Sequence, residues 1–470
     1  MKQLTYIISA SLLLFASCSK ELGKLPENAK VDGNTILDQK TAVVALNGVY
    51  YRFANVQAAN NVTDWQNNET YPGFFSGFLG YGYGETDEER NQYNVSSDYF
   101  WTYSYSIINA ANGVIGAVDE LPDSKFTGDG KKNILAEARF LRAYGNFKLL
   151  SYYGQWWDLN SKFGVLLRTE LVALGNVPKA RSTVAESYTS IFEDLDYAIA
   201  NGPDLTDNSY ATKWAAMALK MRVLLMHGQP ADYMAAITLA DQITGSGKFQ
   251  LESKLIDLFR TKGMASKEVI LGVRPQQNQE SYYYNVSKQY WPGASSLYVA
   301  VQGFKDLLQN DPRNNWMVGA ENEDREDSYF FTKYIAEGSS PSQITESAYP
   351  LRLSEVYLMK AEAIVRSGGT VADARTVLKE VMTKAEVTNF TAVDNAATPD
   401  AMLEQIWRET VRNLTGEDGQ EWFALLRLPF EKVKELKPVI TDKIQYILPV
   451  PRTELLNNPA FGDQNPGYTR

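Results

Sequence analysis

The 470-residue chain contains one histidine, His227, and one cysteine, Cys18. That scarcity removes whole classes of chemistry. A zinc site built from His and Cys is excluded, and so is a Ser-His-Asp or Cys-His mechanism unless His227 alone supplies the base. No disulfide can form within the chain. His227 follows the apolar run Val223-Leu224-Leu225-Met226 and precedes Gly228, which places it as a capping residue at a helix C-terminus. Positive charge is also short. The 46 Lys and Arg against 56 Asp and Glu leave a net charge of −10, which argues against a nucleic-acid partner. Cofactor signatures are missing as well. Gly80-Tyr81-Gly82-Tyr83-Gly84 has neither the dinucleotide spacing nor the lysine of a P-loop. The acidic run Glu321 to Asp327 lacks the EF-hand spacing and reads as a solvated loop. Neither a cofactor nor a metal is expected.

What is present begins at the N-terminus. Lys2 precedes an apolar run from Ile7 to Phe15, too short to span a bilayer and suited to a signal peptide over residues 1–17. The run ends at Phe15-Ala16-Ser17-Cys18, which looks like a bacterial lipobox with cleavage before the lone cysteine and acylation there. Residues 18–38 are polar and read as a lipidated flexible tether. With a 44% hydrophobic share, residues 39–470 can bury an ordinary core and are expected to form one domain.

Helical periodicity dominates that domain. Leu135, Ala138, Leu141, Gly145 and Leu149 share one face of a helix over residues 131–154, with small Ala138 and Gly145 allowing a second helix to approach closely. Gly154 is expected to stop it in a left-handed cap. Further helices are expected over 39–55, from the capping box Thr183-x-x-Glu186 to Asn201, over about 209–226 and 232–243, and as a pair over 352–366 and 371–384. Such short antiparallel pairs resemble tetratricopeptide units and should stack into one scaffold. Residues 267–273 could form a strand, and a tail bearing Pro449, Pro451, Pro459 and Pro466 should run extended along the surface.

Two aromatic clusters interrupt the helical pattern. Residues 65–105 hold 13 aromatics in 41 positions, whereas the chain-wide 12% would give about five. Interleaved glycines make much of that segment loop. The second cluster spans 282–316.

Four segments together resemble the SusD/RagB family of outer-membrane nutrient-binding lipoproteins. They are the lipobox cysteine, Leu135 to Gly154, Arg352 to Ala363, and the ending from Leu448-Pro449-Val450-Pro451 to Asn465-Pro466-Gly467-Tyr468. One family segment departs from its pattern: Glu421 and Ala424 stand where an arginine and an aspartate commonly pair, which implies loss of a structural ion pair. The resemblance implies a mostly all-α, SusD-like fold, with tetratricopeptide-like pairs on one side and long loops building a shallow binding face on the other. It further implies a surface-exposed lipoprotein that is no enzyme and serves a TonB-dependent β-barrel transporter in the outer membrane, with glycans as the usual ligands.

The residues agree with glycan capture. Sugar rings present apolar C–H faces that flat aromatic side chains cover, while amides, carboxylates and guanidinium groups take the hydroxyls. The stacking candidates are Trp65, Tyr81, Tyr83, Trp101, Tyr283, Trp291 and Trp316; the polar candidates are Asn67, Asn68, Asp87, Arg90 and Gln289. A peptide-binding protein of the same family is the alternative, and a glycosidase using two carboxylates is a third.

Overall fold

The protein is described by a computed structural model over residues 35–56, 65–275, 289–290, 292, 297–335 and 344–469. The signal peptide, Cys18 and nearly all of the tether lie outside these residues. In chain order the main elements are α1 (Gln39–Phe53), α2 (Gln66–Ser76), β1 (Leu79–Tyr81), α3 (Trp101–Glu120), α4 (Gly130–Tyr153), α5 (Val184–Asn201), α6 (Lys213–His227), α7 (Pro230–Gly245) and β2 (Val269–Val273). Then follow β3 (Tyr298–Val301), β4 (Val318–Glu321), β5 (Ser328–Phe331), β6 (Ala348–Arg352), α8 (Leu353–Arg366), α9 (Val371–Lys384), α10 (Pro399–Leu414), α11 (Gln420–Leu426), α12 (Phe430–Leu436) and α13 (Arg452–Asn457). None of the described helices is long and apolar enough to cross a membrane.

Helices dominate, as expected, and each long helix lies against its chain neighbours. α3 packs on α4, α4 on α5, α5 on α6 and α6 on α7, while α8 contacts α7, α9 and α10. The capping box forms: Thr183 Oγ1 accepts from Glu186 N at 3.2 Å and Glu186 Oε2 accepts from Thr183 N at 2.8 Å. Such a cap contributes about 1 kcal/mol. His227 closes α6 with Gly228 in the left-handed conformation behind it, and its Nδ1 sits 2.6 Å from Asp232 Oδ2.

The central helix α4 is enclosed on nearly all sides, with 18 of its 24 residues buried. Gly145 explains the close approach of α3, because a Cβ there would come within 2.9 Å of Ile108 Cγ1 and 3.1 Å of the Ser104 carbonyl oxygen. The partner helix α3 begins at the end of the aromatic-rich stretch and runs beyond it to Glu120. Its Ile107, Ala111, Val114 and Val118 supply a buried helical stripe downstream of Trp101 and Tyr103. α2 likewise occupies residues assigned to loop. The expected left-handed cap on α4 does not form: Gly154 is extended (φ −105°), and it is small because a Cβ would meet Leu150 Cδ1 at 2.6 Å.

Charges on enclosed helices need partners, since an isolated buried ion is very costly. Arg142 holds Asp194 through two bonds of 2.7 Å and Asn112 Oδ1 at 2.9 Å. Deeper in, Arg222 binds both Glu355 and Asp418, and Asp418 also accepts from Lys148 (3.2 Å) and Tyr144 (3.1 Å). Next to this group Arg352 bridges Glu268 (2.7 Å) and Glu417 (2.8 Å), and Lys333 completes Glu417 at 2.6 Å. Glu421, which stands where the family carries an arginine, is fully buried; among the described residues it accepts a single 3.5 Å bond, from Gly416 N, and burial pushes its carboxyl up to about 8.

Two antiparallel sheets complete the fold. One has the order β1-β3-β5-β4, with Tyr81 opposite Tyr298, and the other pairs β2 with β6. The proline-bearing tail departs from its expected course. It forms α13 and buries Val450, Leu455 and Phe461. Leu448 N donates to the Tyr152 carbonyl at 2.6 Å, and Asn465 Nδ2 donates to the Tyr153 carbonyl at 2.8 Å. The carbonyls at the C-terminal end of α4 have no helical partners, and the tail supplies donors for them.

Candidate functional site

The four-stranded sheet presents the loop that follows β1, and this loop carries the candidates Tyr81, Tyr83, Asp87 and Arg90. Tyr81 ends the strand half-buried, and Tyr83 stands in the loop with 45% of its surface exposed. Their ring centroids are 5.6 Å apart at an interplanar angle of 58°, so the pair forms a bent aromatic ridge.

Several bonds fix that ridge. Gly82 N donates to the Leu297 carbonyl at 2.8 Å, and its own carbonyl accepts from Asn322 Nδ2 at 2.7 Å. Below, Glu89 and Arg325 form a two-point ion pair of 3.1 and 2.7 Å, while Glu89 Oε1 also accepts from Tyr81 N and Thr86 N. This pair lies against Gly80, where a Cβ would overlap both groups, so the glycine is required for packing. Lys437 reaches the Glu89 carbonyl from beneath, and burial pushes its ammonium down to about 8. Gln289 supports the loop through its carbonyl, which accepts from Leu297 N (2.8 Å) and Tyr298 N (3.1 Å).

Beside the ridge, Arg90 clamps Glu85 at 3.0 Å and Asp87 at 2.5 Å on the exposed surface. Asp87 also lines a groove of about 560 Å³ whose wall carries Gln92, Asn94, Gln445 and Tyr468. Gln92 and Asn94 are exposed. Asn91 turns the chain there with a positive φ of 54° and donates to the Phe75 carbonyl at 3.0 Å. An exposed ring can stack on a sugar face, and a trough of carboxamide and carboxylate groups can hydrogen-bond its hydroxyls.

Other candidates lie elsewhere. Trp65 is 2% exposed and packs on Phe53 with centroids 5.0 Å apart. Trp101 is 6% exposed and fills a niche formed by Tyr105, Tyr153 and Phe461. Asn68 is fully buried on α2, and Asn67 is half-buried beside it. These tryptophans are core residues because α2 and α3 are helices where loop was expected. Trp316 is half-buried against Phe259 at 5.8 Å, under the guanidinium of Arg260 at 5.4 Å. Tyr283 and Trp291 lie outside the described residues. Gln92 and Asn94 were absent from the candidates, although the run Asn91-Gln92-Tyr93-Asn94 was a usable signal. Gln445 and Tyr468 join them from some 350 residues away, which no local pattern reveals.

Comparison with known proteins bears on this arrangement. Residues 20–225 match a family model described as starch-binding and associating with the outer membrane, and residues 226–468 match the model of the SusD family. A SusD-like protein of Bacteroides ovatus is 24% identical over 427 residues, covering 80% of this chain and 74% of that one. Among solved structures, a SusD superfamily protein from Parabacteroides distasonis aligns with a TM-score of 0.76 at 18% identity, covering 92% of this chain and all of the other. A laminarin-binding SusD-like protein aligns with a TM-score of 0.70 at 21% identity, with 92% and 100% covered.

Proposed function

Since the chain belongs to the SusD family, we propose that it captures an oligosaccharide on the face formed by Tyr81, Tyr83, Asp87, Arg90 and the adjoining amide-lined groove. The observation that carries this is Tyr83: a large ring held 45% exposed in a pinned loop, four residues before Asp87, which lines the amide-bearing groove. Exposing that ring to water is unfavourable in the free protein and is relieved when a sugar face covers it. In this proposal Cys18 anchors the mature protein to the outer membrane, and the captured glycan passes to a TonB-dependent β-barrel transporter.

In this proposal the role is binding without cleavage, with Glu85 and Asp87 both ion-paired to Arg90 on the exposed surface. Starch and laminarin are the first ligands to test, because one matched family model is described as starch-binding and one structural neighbour as laminarin-binding. Titration calorimetry of the protein from residue 19 onward against both glucans, a panel of other polysaccharides and a peptide library tests the proposal. Saturable glycan binding that Tyr83→Ala weakens by about tenfold or more supports it. Binding confined to peptides, or indifferent to Tyr83, overturns it.

A further inference from the structure

The acidic run over residues 321–327 does more than its sequence announces. It leads from the last residue of β4 to the first of β5, and its seven side chains divide into two sets. Glu321, Glu323, Asp324, Glu326 and Asp327 are exposed, whereas Asn322 is buried and Arg325 is half-buried. The two inward residues reach the aromatic ridge. Asn322 Nδ2 donates to the Gly82 carbonyl at 2.7 Å, and the Arg325 guanidinium donates to the Tyr81 carbonyl at 2.8 Å. Ser328 Oγ closes the turn on the Arg325 carbonyl at 2.8 Å. The loop is thus fastened to the backbone on which Tyr81 and Tyr83 stand, and it carries five carboxylates there.

Those carboxylates are not neutralised. Among the described residues Arg325 is the one charge of this loop that is ion-paired, to Glu89 at 2.7 Å. Glu89 belongs to a second acidic segment, residues 85–90, with Glu85, Asp87, Glu88 and the single cation Arg90. The two segments together carry nine carboxylates and two guanidinium groups. These 13 residues therefore hold a net charge of −7, against −10 for all 470. Lys437 contributes one cation from beneath, at the Glu89 carbonyl. In the adjoining groove Asp87 is the one charged residue among the described lining residues. A sulfate or carboxylate brought to the ridge meets like charge from both segments, and a neutral sugar meets none.

We infer that the face around Tyr83 selects uncharged glycans, and that the 321–327 loop is the element that rejects those bearing uronate or sulfate groups. This rests on the capture proposed above and adds the class of ligand. Asn322 and Arg325 position the loop. The exposed acids act through their charge, at a distance, and need no contact with the sugar.

The test is calorimetry of the protein from residue 19 onward with three matched pairs: laminarin, soluble starch and galactomannan, each beside its own sulfated derivative. Titrations run in about 10 mM and about 1 M sodium chloride, between which the screening length falls from about 30 Å to about 3 Å. A sulfated derivative is expected to bind about tenfold or more weakly than its parent at low salt, and the gap should narrow at high salt. A steric clash or a lost hydroxyl contact would also weaken a sulfated glycan, but would not respond to salt. The triple variant Glu321→Gln, Glu323→Gln, Glu326→Gln should narrow the low-salt gap by about threefold or more, with neutral-glycan affinity and the melting curve unchanged. A sulfated derivative that binds as tightly as its parent, or a gap that salt or the triple variant leaves unchanged, overturns the selection and leaves capture at Tyr83 standing. Absence of binding by all six glycans and by the wider polysaccharide panel overturns capture, and the selection with it.

Discussion

Arg222 grips Glu355 through two hydrogen bonds, Nε to Oε1 at 2.5 Å and a terminal nitrogen to Oε2 at 2.8 Å, with both side chains 4% exposed. The pair joins α6 to α8, and Asp418 on the same guanidinium brings in the turn before α11. Removing one partner leaves the other charge buried and uncompensated, which costs about 3–5 kcal/mol. Glu355→Ala is therefore expected to lower the unfolding free energy by that amount in urea titration. Exchanging both Arg222 and Glu355 for apolar residues of similar volume should cost less than the single change. An unchanged urea midpoint for Glu355→Ala contradicts the structural role assigned to the pair.

Trp101 and Tyr83 should give opposite phenotypes. Trp101→Ala removes a core ring and is expected to destabilise the fold by about 3–5 kcal/mol. Tyr83→Ala removes an exposed ring and should shift stability by less than about 0.5 kcal/mol while weakening glycan binding by about tenfold. Parallel denaturation and calorimetry of the two variants check both halves. A Trp101→Ala protein that melts like the wild type yet binds no glycan reverses the assignment.

Glu137 makes stability depend on pH. Desolvation pushes its carboxyl from 4.5 up to about 7, against the opposing hydrogen bond from Tyr50. Because the folded-state value lies above the unfolded one, the stabilisation is fully present below pH 4.5 and is lost as pH rises through 7. Glu421, pushed up to about 8, acts in the same direction over a higher window. Glu137→Gln should flatten the fall in stability between pH 5 and 7.5 and make the variant more stable than wild type at the upper end, by on the order of 2 kcal/mol. Urea midpoints across that range decide it; identical slopes for the two proteins exclude Glu137 as a source.

Cys18→Ala should move the protein from the membrane fraction to the soluble fraction, since multiple acyl chains are needed for stable anchoring. Fractionation without detergent checks this, and a variant that stays with the membrane rules out the acyl anchor.

The scaffold was legible because its signals are local. Thr183 and Glu186 announce a cap, Gly145 announces a close crossing, and the periodic faces of residues 131–154 and 352–366 announce the helices they form. The site was legible only in part. Tyr83 and Asp87 are exposed and Tyr81 and Arg90 half-buried, but Trp65 and Trp101 have the same composition signal and are core. What separates them is whether the backbone around them is helix or turn. In residues 65–105 aromatic density obscured the helical period that buries them. The groove wall escaped notice for a different reason: Gln445 and Tyr468 reach it through tertiary packing alone.

The bonds from Leu448 and Asn465 to the last carbonyls of α4 join residues about 300 positions apart. Contacts of such sequence separation form late, because a long loop must be closed before they contribute. A chain truncated before Leu448 still contains α1 to α12, but the C-terminal end of α4 loses both donors, and its uncovered carbonyls leave an edge that quality control can recognise.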